Sequence, residues 1–274
     1  MPASHDVVTS SRNGVALIRF NRPLKFNAWA PEVMKEMKAA LARAAADDAI
    51  SAAILTGTGP YYCAGVDFSG QLGLTLPSTL KKTAEQDNYS LFDAFLSFPK
   101  PLFAAVNGPA IGAAVTSAAL CDGVIASETA TFHTPFTALG ITPEGCSSFN
   151  FPRLMGQRGA KLMLEEGKKL NAAEALELGL VSEVVPGGPT ELIDRAQAVA
   201  EAWVAASKPR TCVRLDLIET LKEVNRAESK ALASSFFTRA FFKSQYDFAK
   251  ARNKTGAMWA FWAADKLQPV LARL

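Results

Sequence analysis

The stretch Phe103-Ala104-Ala105-Val106-Asn107-Gly108-Pro109-Ala110-Ile111-Gly112-Ala113-Ala114-Val115 runs from an apolar strand through an Asn-Gly-Pro turn into a helix of very small residues. A helix start leaves backbone N–H groups without intrahelical partners, pointing outward. Such a terminus holds negative charge, or else its Gly and Ala residues only let the helix pack tightly on a strand. A second loop of the same character, Tyr62-Cys63-Ala64-Gly65-Val66-Asp67, follows another apolar strand. Two backbone donors from two loops suffice to bind one developing oxyanion.

Outward from these loops the chain deals out strand, loop and helix repeatedly. A strand at 15–20 follows the Asn13-Gly14 turn and ends at Asn21-Arg22-Pro23. Pro31 suits the first turn of a helix in which Val33, Met34, Met37 and Leu41 recur at helical spacing. A strand at 52–55, a loop at 72–77, a helix at 82–98 and a short strand at 122–126 complete an α/β arrangement. From Gly159 the pattern is mostly helical, at 160–166, 172–178, 192–206, 210–225 and 227–251, interrupted by a strand at 180–185. The paired aromatics Phe236-Phe237 and Phe241-Phe242, with Trp259 and Trp262, exceed what one amphipathic layer requires. That end either packs on another subunit or caps the core.

With 274 residues and 49% hydrophobic content, the chain can bury a large core. The 29 basic residues are scattered and the net charge is only +3, so no nucleic-acid stripe is expected. Lys81-Lys82 and Lys168-Lys169 read as solvated faces. Cys63, Cys121, Cys146 and Cys212 form no CxxC pair and have no His at ligand spacing, which disfavours a disulfide framework or zinc and suggests reduced thiols. No stretch approaches the roughly 20 apolar residues of a membrane span, and the first 14 residues lack an apolar signal core. The final Ala272-Arg273-Leu274 resembles the Ser-Lys-Leu peroxisomal signal.

Only His5 and His133 are present, and His133, in an apolar segment, reads as structural. With no Gly-x-Ser-x-Gly elbow, a serine hydrolase is a poor match; Walker A and GxGxxG loops are also missing. Glu144 is the carboxylate of interest, set between Pro143 and Gly145 in a stretch flanked by Phe136, Phe149 and Phe151. Desolvation there raises its proton affinity toward working pH, which suits a general base. The other reading is a carboxylate favoured by the dipole of the helix that follows.

Phe20-Asn21-Arg22-Pro23 with Asn27-Ala28, Cys63-Ala64-Gly65-Val66-Asp67, Asn107-Gly108-Pro109-Ala110-Ile111-Gly112 and Leu120-Cys121-Asp122 together resemble the enoyl-CoA hydratase/isomerase (crotonase) superfamily over nearly the whole chain. Within it, Thr131-Phe132-His133-Thr134-Pro135-Phe136 and Pro143-Glu144-Gly145-Cys146-Ser147-Ser148 are similar to peroxisomal Δ3,Δ2-enoyl-CoA isomerases. The resemblance implies a spiral of ββα turns over residues 1–205 and a C-terminal helical oligomerisation region over 206–274, assembling as a homotrimer or hexamer. It implies an acyl-CoA thioester substrate whose carbonyl is held by the Val66 and Ala113 N–H groups. It also implies that Glu144 is the single base, and that no metal or redox cofactor is used.

The two glutamates of the family's hydratases match Thr116 and Phe136 here, which cannot share the activation of water, so isomerisation is expected over hydration. Asn88 resembles an Asn near the base in yeast-type isomerases, or is a solvated helix residue. Lys25 either meets a CoA phosphate or is a surface lysine, and Ala64, Asp67, Gly112 and Phe136 are expected beside the substrate. Leu72, Leu74 and Leu76 either line an acyl tunnel or pad a loop. The rival readings are a thioesterase or weak hydratase of the same fold, and a non-catalytic acyl-CoA-binding protein.

Overall fold

The computed structural model describes residues 5–67, 77–251 and 253–271. Leu72, Leu74, Leu76 and the terminal Ala272-Arg273-Leu274 lie outside the described residues. Strands β1 (Val7–Arg12) and β2 (Val15–Phe20) form a hairpin across Asn13-Gly14. The chain continues through α1 (Pro31–Ala46), β3 (Ala52–Gly57), α2 (Pro77–Leu96), β4 (Leu102–Val106), β5 (Ala110–Ile111), α3 (Ala113–Ala118), β6 (Gly123–Ser127) and β7 (Thr131–His133). Then follow α4 (Phe136–Leu139), α5 (Ser147–Leu164), β8 (Leu170–Asn171), α6 (Ala172–Glu177), β9 (Glu183–Val185), α7 (Pro189–Ala205), α8 (Ile218–Ser235), α9 (Arg239–Ala251) and α10 (Thr255–Leu271).

A six-stranded sheet has the order β1-β2-β3-β4-β6-β9 and is parallel from β2 onward, while β5, β7 and β8 form a second, three-stranded sheet. From β4, each turn of the chain adds one strand to each sheet and then a helix: β4, β5 and α3, followed by β6, β7 and α4. This is the expected α/β spiral of ββα turns followed by helices.

Side chains alternate across a strand, so a sheet covered on both sides needs apolar residues at every position. In β4, Leu102, Ala104 and Val106 face the main core, where Val33, Met37 and Leu41 of α1 also pack. Phe103 and Ala105 face the other way, onto Leu192, Ala196 and Ala200 of α7. The continuous apolar run of β4 is therefore the record of two separate cores.

The end of α7 coincides with the 205/206 boundary, yet Val213 and Leu221 beyond it belong to the same main core as β4. The helix expected from 210 begins only at Ile218, because the backbone before it is engaged elsewhere. The Thr211 and Cys212 N–H groups donate to Asp122 Oδ1 at 2.7 and 3.0 Å. Arg210 Nε meets Asp122 Oδ2 at 3.1 Å, and its other nitrogens donate to the Phe95, Phe98 and Leu120 carbonyls at 2.7–2.9 Å. This buried ion pair ties the chain after α7 to the end of α2 and to the Leu120-Cys121-Asp122 turn. Farther on, Phe241, Phe242 and Phe261 of α9 and α10 form an aromatic cluster of their own.

Candidate active site

The two glycine-bearing loops are zipped together. Ile111 N–H donates to the Cys63 carbonyl at 3.0 Å, and Cys63 N–H to the Pro109 carbonyl at 3.3 Å. Two asparagines lash the segment between β3 and the first loop. Asn107 Oδ1 accepts from Gly57 N–H at 2.9 Å while its Nδ2 donates to the Gly59 carbonyl at 2.9 Å. Asn27 Nδ2 donates to the Thr58 and Tyr61 carbonyls at 3.0 and 2.8 Å. Each amide side chain thereby replaces hydrogen bonds that an irregular backbone cannot make for itself.

Gly65 adopts φ +80°, and a Cβ there would stand 2.6 Å from the Ile111 carbonyl oxygen, so only glycine permits the loops to close to this distance. Gly112 has φ 55° and ψ −121°, a conformation essentially closed to other residues. Its N–H donates to the His133 carbonyl at 2.8 Å. The Trp29 N–H donates to the Gly65 carbonyl at 2.8 Å, and the Asp67 N–H to the Trp29 carbonyl at 2.9 Å. Among the described residues, neither the Val66 nor the Ala113 backbone N–H has an acceptor, and both residues line one cavity of about 770 Å³.

Glu144 lines the same cavity and is only 3% exposed. Its Oε1 accepts the Thr116 hydroxyl at 2.8 Å, and its buried Oε2 has no hydrogen-bond partner among the described residues. Burial pushes the Glu144 pKa up to about 8; the Thr116 hydrogen bond opposes this, and the nearby Glu228 charge adds to it. Glu144 is not the carboxylate that serves the following helix. Glu228, on α8, accepts the Cys146 N–H at 2.6 Å and the Ser148 N–H at 2.9 Å at the start of α5. The Ser148 hydroxyl donates to the same carboxylate. Burial raises the pKa of Glu228 as well.

Asn88, Lys25, Ala64, Asp67, Gly112 and Phe136 all line this cavity. Asn88 is not a freely solvated helix residue, since its Nδ2 donates to Ser229 Oγ of α8 at 2.8 Å. Lys25 is exposed at the mouth, on the short 3-10 turn Pro23–Lys25. His133 contributes its carbonyl rather than its ring: Nε2 lies 3.1 Å from the Gly167 carbonyl oxygen, and burial lowers the pKa of the imidazole.

Sequence reasoning missed two contributors to this site. Thr116 entered only as a missing acid, although its hydroxyl holds Glu144, and nothing in local spacing ties Glu228 to Cys146. The far wall is also unexpected, because Gln245, Phe248, Lys254 and Phe261 of the C-terminal region face the cavity. Burial pushes the Cys63 thiol up to about 12, which makes it a poor nucleophile. Among the described residues, no group of three or more His, Cys, Asp or Glu could hold a metal, and no helix is long and apolar enough to cross a membrane.

A carbonyl oxygen that accepted from the Val66 and Ala113 N–H groups would share one cavity with a buried carboxylate whose pKa is raised to about 8. The arrangement can therefore move a proton beside a carbonyl. Spiral, paired loops and interior cavity define an α/β protein of the crotonase type. The chain belongs to the enoyl-CoA hydratase/isomerase family, whose family model matches residues 10–258.

It is 39% identical to enoyl-CoA delta isomerase 2 of Homo sapiens over 90% of this chain and 64% of that one. It is 43% identical to peroxisomal enoyl-CoA delta isomerase 3 of Mus musculus over 67% of this chain and 58% of that one. The chain thus spans about three fifths of the length of these curated relatives. Among solved structures, it is similar to an enoyl-CoA hydratase/isomerase from Pseudoalteromonas atlantica T6c. The TM-score is 0.78 at 30% identity, covering 90% of this chain and 97% of the other.

Proposed function

We propose that this chain is a Δ3,Δ2-enoyl-CoA isomerase that converts 3-enoyl-CoA to trans-2-enoyl-CoA in the oxidation of unsaturated fatty acids. The observation that carries this reading is a single buried carboxylate, Glu144, sharing a cavity with Phe136 and with two backbone N–H groups that have no acceptor among the described residues, while Thr116 behind it donates to its Oε1. The relatives named as enoyl-CoA delta isomerases support it.

The thioester oxygen accepts from Val66 and Ala113 N–H. Ionised Glu144 takes the proton from carbon 2, and the resulting dienolate charge rests on that oxygen. Each such donor is worth about 3 to 4 kcal/mol in the transition state. Protonated Glu144 then delivers the proton to carbon 4. Hydration would require a second group to hold and activate water; the Thr116 hydroxyl is committed to Glu144, and Phe136 has nothing to offer.

Peroxisomal delivery belongs to the same proposal. It rests on the mouse relative's name and on Ala272-Arg273-Leu274, and unchanged import after deletion of Leu274 would remove the tripeptide's part in it. A homotrimer or hexamer is proposed as the working assembly, to be read by sedimentation.

The direct test is turnover of trans-3-enoyl-CoA in an assay coupled to a hydratase and a dehydrogenase, with Glu144→Gln beside the wild type. Activity that requires the added hydratase and falls about 100- to 10,000-fold in the variant is expected. An inactive wild type, or a fully active Glu144→Gln, sinks the reading and brings forward thioester hydrolysis or simple acyl-CoA binding.

A further inference from the structure

The two oxygens of Glu144 are not equivalent. Oε1 accepts the Thr116 hydroxyl at 2.8 Å, whereas Oε2 is buried without a hydrogen-bond partner among the described residues. We propose that Thr116 is a positioning residue that holds Oε1 and so makes Oε2 the one oxygen that takes and returns the substrate proton, an inference that rests on the isomerase reading above.

Thr116 is fully buried on α3, the helix whose first residue is Ala113. One turn of one helix therefore carries both a cavity-facing N–H and the hydroxyl that fixes the base, so the spacing between carbonyl site and base is set by a rigid element. The hydroxyl has a single hydrogen. Its alternative acceptor, the Ala113 carbonyl, is farther away at 3.3 Å, and a charged acceptor is preferred over a neutral one.

From the other side, Glu228 grips the Cys146 and Ser148 N–H groups, which fixes the chain just after Glu144. With Oε1 bound by Thr116 and the backbone just after Glu144 fixed by Glu228, the carboxylate keeps its orientation and Oε2 stays the free oxygen. In the first half-reaction the C2–H bond breaks, the proton goes to Oε2, and the electron pair spreads over carbons 2 to 4 and the thioester oxygen. In the second, the Oε2–H bond breaks and a C4–H bond forms, restoring the carboxylate with no net gain or loss of protons. Both halves use the same atom.

The test is the pH dependence of kcat and KM on trans-3-enoyl-CoA for Thr116→Val, Thr116→Ser and Glu228→Gln. The charged and titratable groups around Glu144 are Glu228 from α8 and Cys146 from its own turn, with Tyr61, Asp67, Asp87, Lys25 and Lys254 on the cavity wall. The Thr116 hydroxyl stabilises the carboxylate. Thr116→Val is therefore expected to move the rising limb of the profile to higher pH and to lower kcat about 10- to 100-fold with KM nearly unchanged. Thr116→Ser is expected to restore both.

Glu228→Gln removes a neighbouring negative charge and is expected to move the limb the opposite way, to lower pH. A general loosening of the site would move both variants in one direction, and that outcome overturns the proposal. A Thr116→Val enzyme with wild-type kcat and limb overturns it too, and does so without touching the isomerase reading if Glu144→Gln is inactive. Should Thr116→Val fail to fold, Thr116→Ala against Thr116→Ser makes the same comparison.

Discussion

Glu228 and Cys146, far apart in sequence, are joined by a 2.6 Å hydrogen bond from the Cys146 N–H to the Glu228 carboxylate. With the Ser148 N–H at 2.9 Å, this caps α5 from a neighbouring helix rather than from its own N-terminal residues. Capping carboxylates stabilise both the unpaired N–H groups and the helix dipole. Glu228→Ala leaves buried N–H groups unpaired and is expected to lower unfolding free energy by about 2 to 3 kcal/mol. Glu228→Gln, which keeps an acceptor oxygen, should lose less. Urea titration followed by circular dichroism measures both.

The pH profile follows from the pKa of Glu144, raised from 4.5 to about 8 by burial. Only the ionised carboxylate accepts a proton, so kcat/KM of the wild type should climb as pH rises through about 8 and level off above it. A limb near the ordinary carboxylate value instead would mean that Glu144 is solvated in the free enzyme. Initial rates at low substrate, taken from about pH 6 to about pH 10, report the free-enzyme value.

Gly65 carries the closure of the two loops. A methyl group at this position meets the Ile111 carbonyl oxygen at 2.6 Å on a backbone with φ +80°. Gly65→Ala should therefore push the loops apart by several tenths of an ångström and lower kcat about 100-fold, since misplacement on this scale spoils alignment of the reacting atoms. An unchanged far-ultraviolet spectrum beside the lost rate would place the damage in the site.

The Arg210 and Asp122 side chains are both buried, with every guanidinium nitrogen of Arg210 hydrogen-bonded. Removing one partner of such a pair leaves an uncompensated buried charge, so Arg210→Ala is expected to destabilise the fold by about 3 to 5 kcal/mol. Arg210→Lys should also be strongly destabilising, because a single ammonium cannot reach three carbonyls and a carboxylate together. Thermal or urea unfolding distinguishes these from the surface pair Arg214–Asp216, where a change within about 1 kcal/mol is expected.

The parallel strands of the six-stranded sheet were legible because being covered on both faces leaves a continuous apolar run, and β2 spans the residues read from sequence. β5 and β7 of the second sheet were not, since β5 is only two residues long and stands where the helix was expected to begin. Nor was β1, since Val7–Arg12 is exposed beyond its first residue and polar beyond Val8; it exists because the Asn13-Gly14 turn folds it onto β2. The two glycine loops and Glu144 stood out as local signals, a glycine turn after a strand and a carboxylate between proline and glycine, whereas Val66 and Ala113 as donors came only from the family resemblance. The part Thr116 plays depends on Glu144 reaching it from another turn of the spiral, and Glu228 acts through backbone N–H groups, which any residue carries. The late start of α8 has the same origin, as Asp122 draws the preceding backbone toward itself from a distant turn.

Phe241, Phe242 and Phe261 form a cluster separate from the main core, and α9 and α10, which carry them, supply one wall of the cavity. That wall and the sheet are thus secured by different sets of apolar contacts, and local opening follows such divisions. Amide hydrogens of α9 and α10 should exchange with solvent faster than those of β3 and β4. On the isomerase reading proposed above, acyl-CoA would enter through such a partial opening, with the loops and Glu144 left assembled.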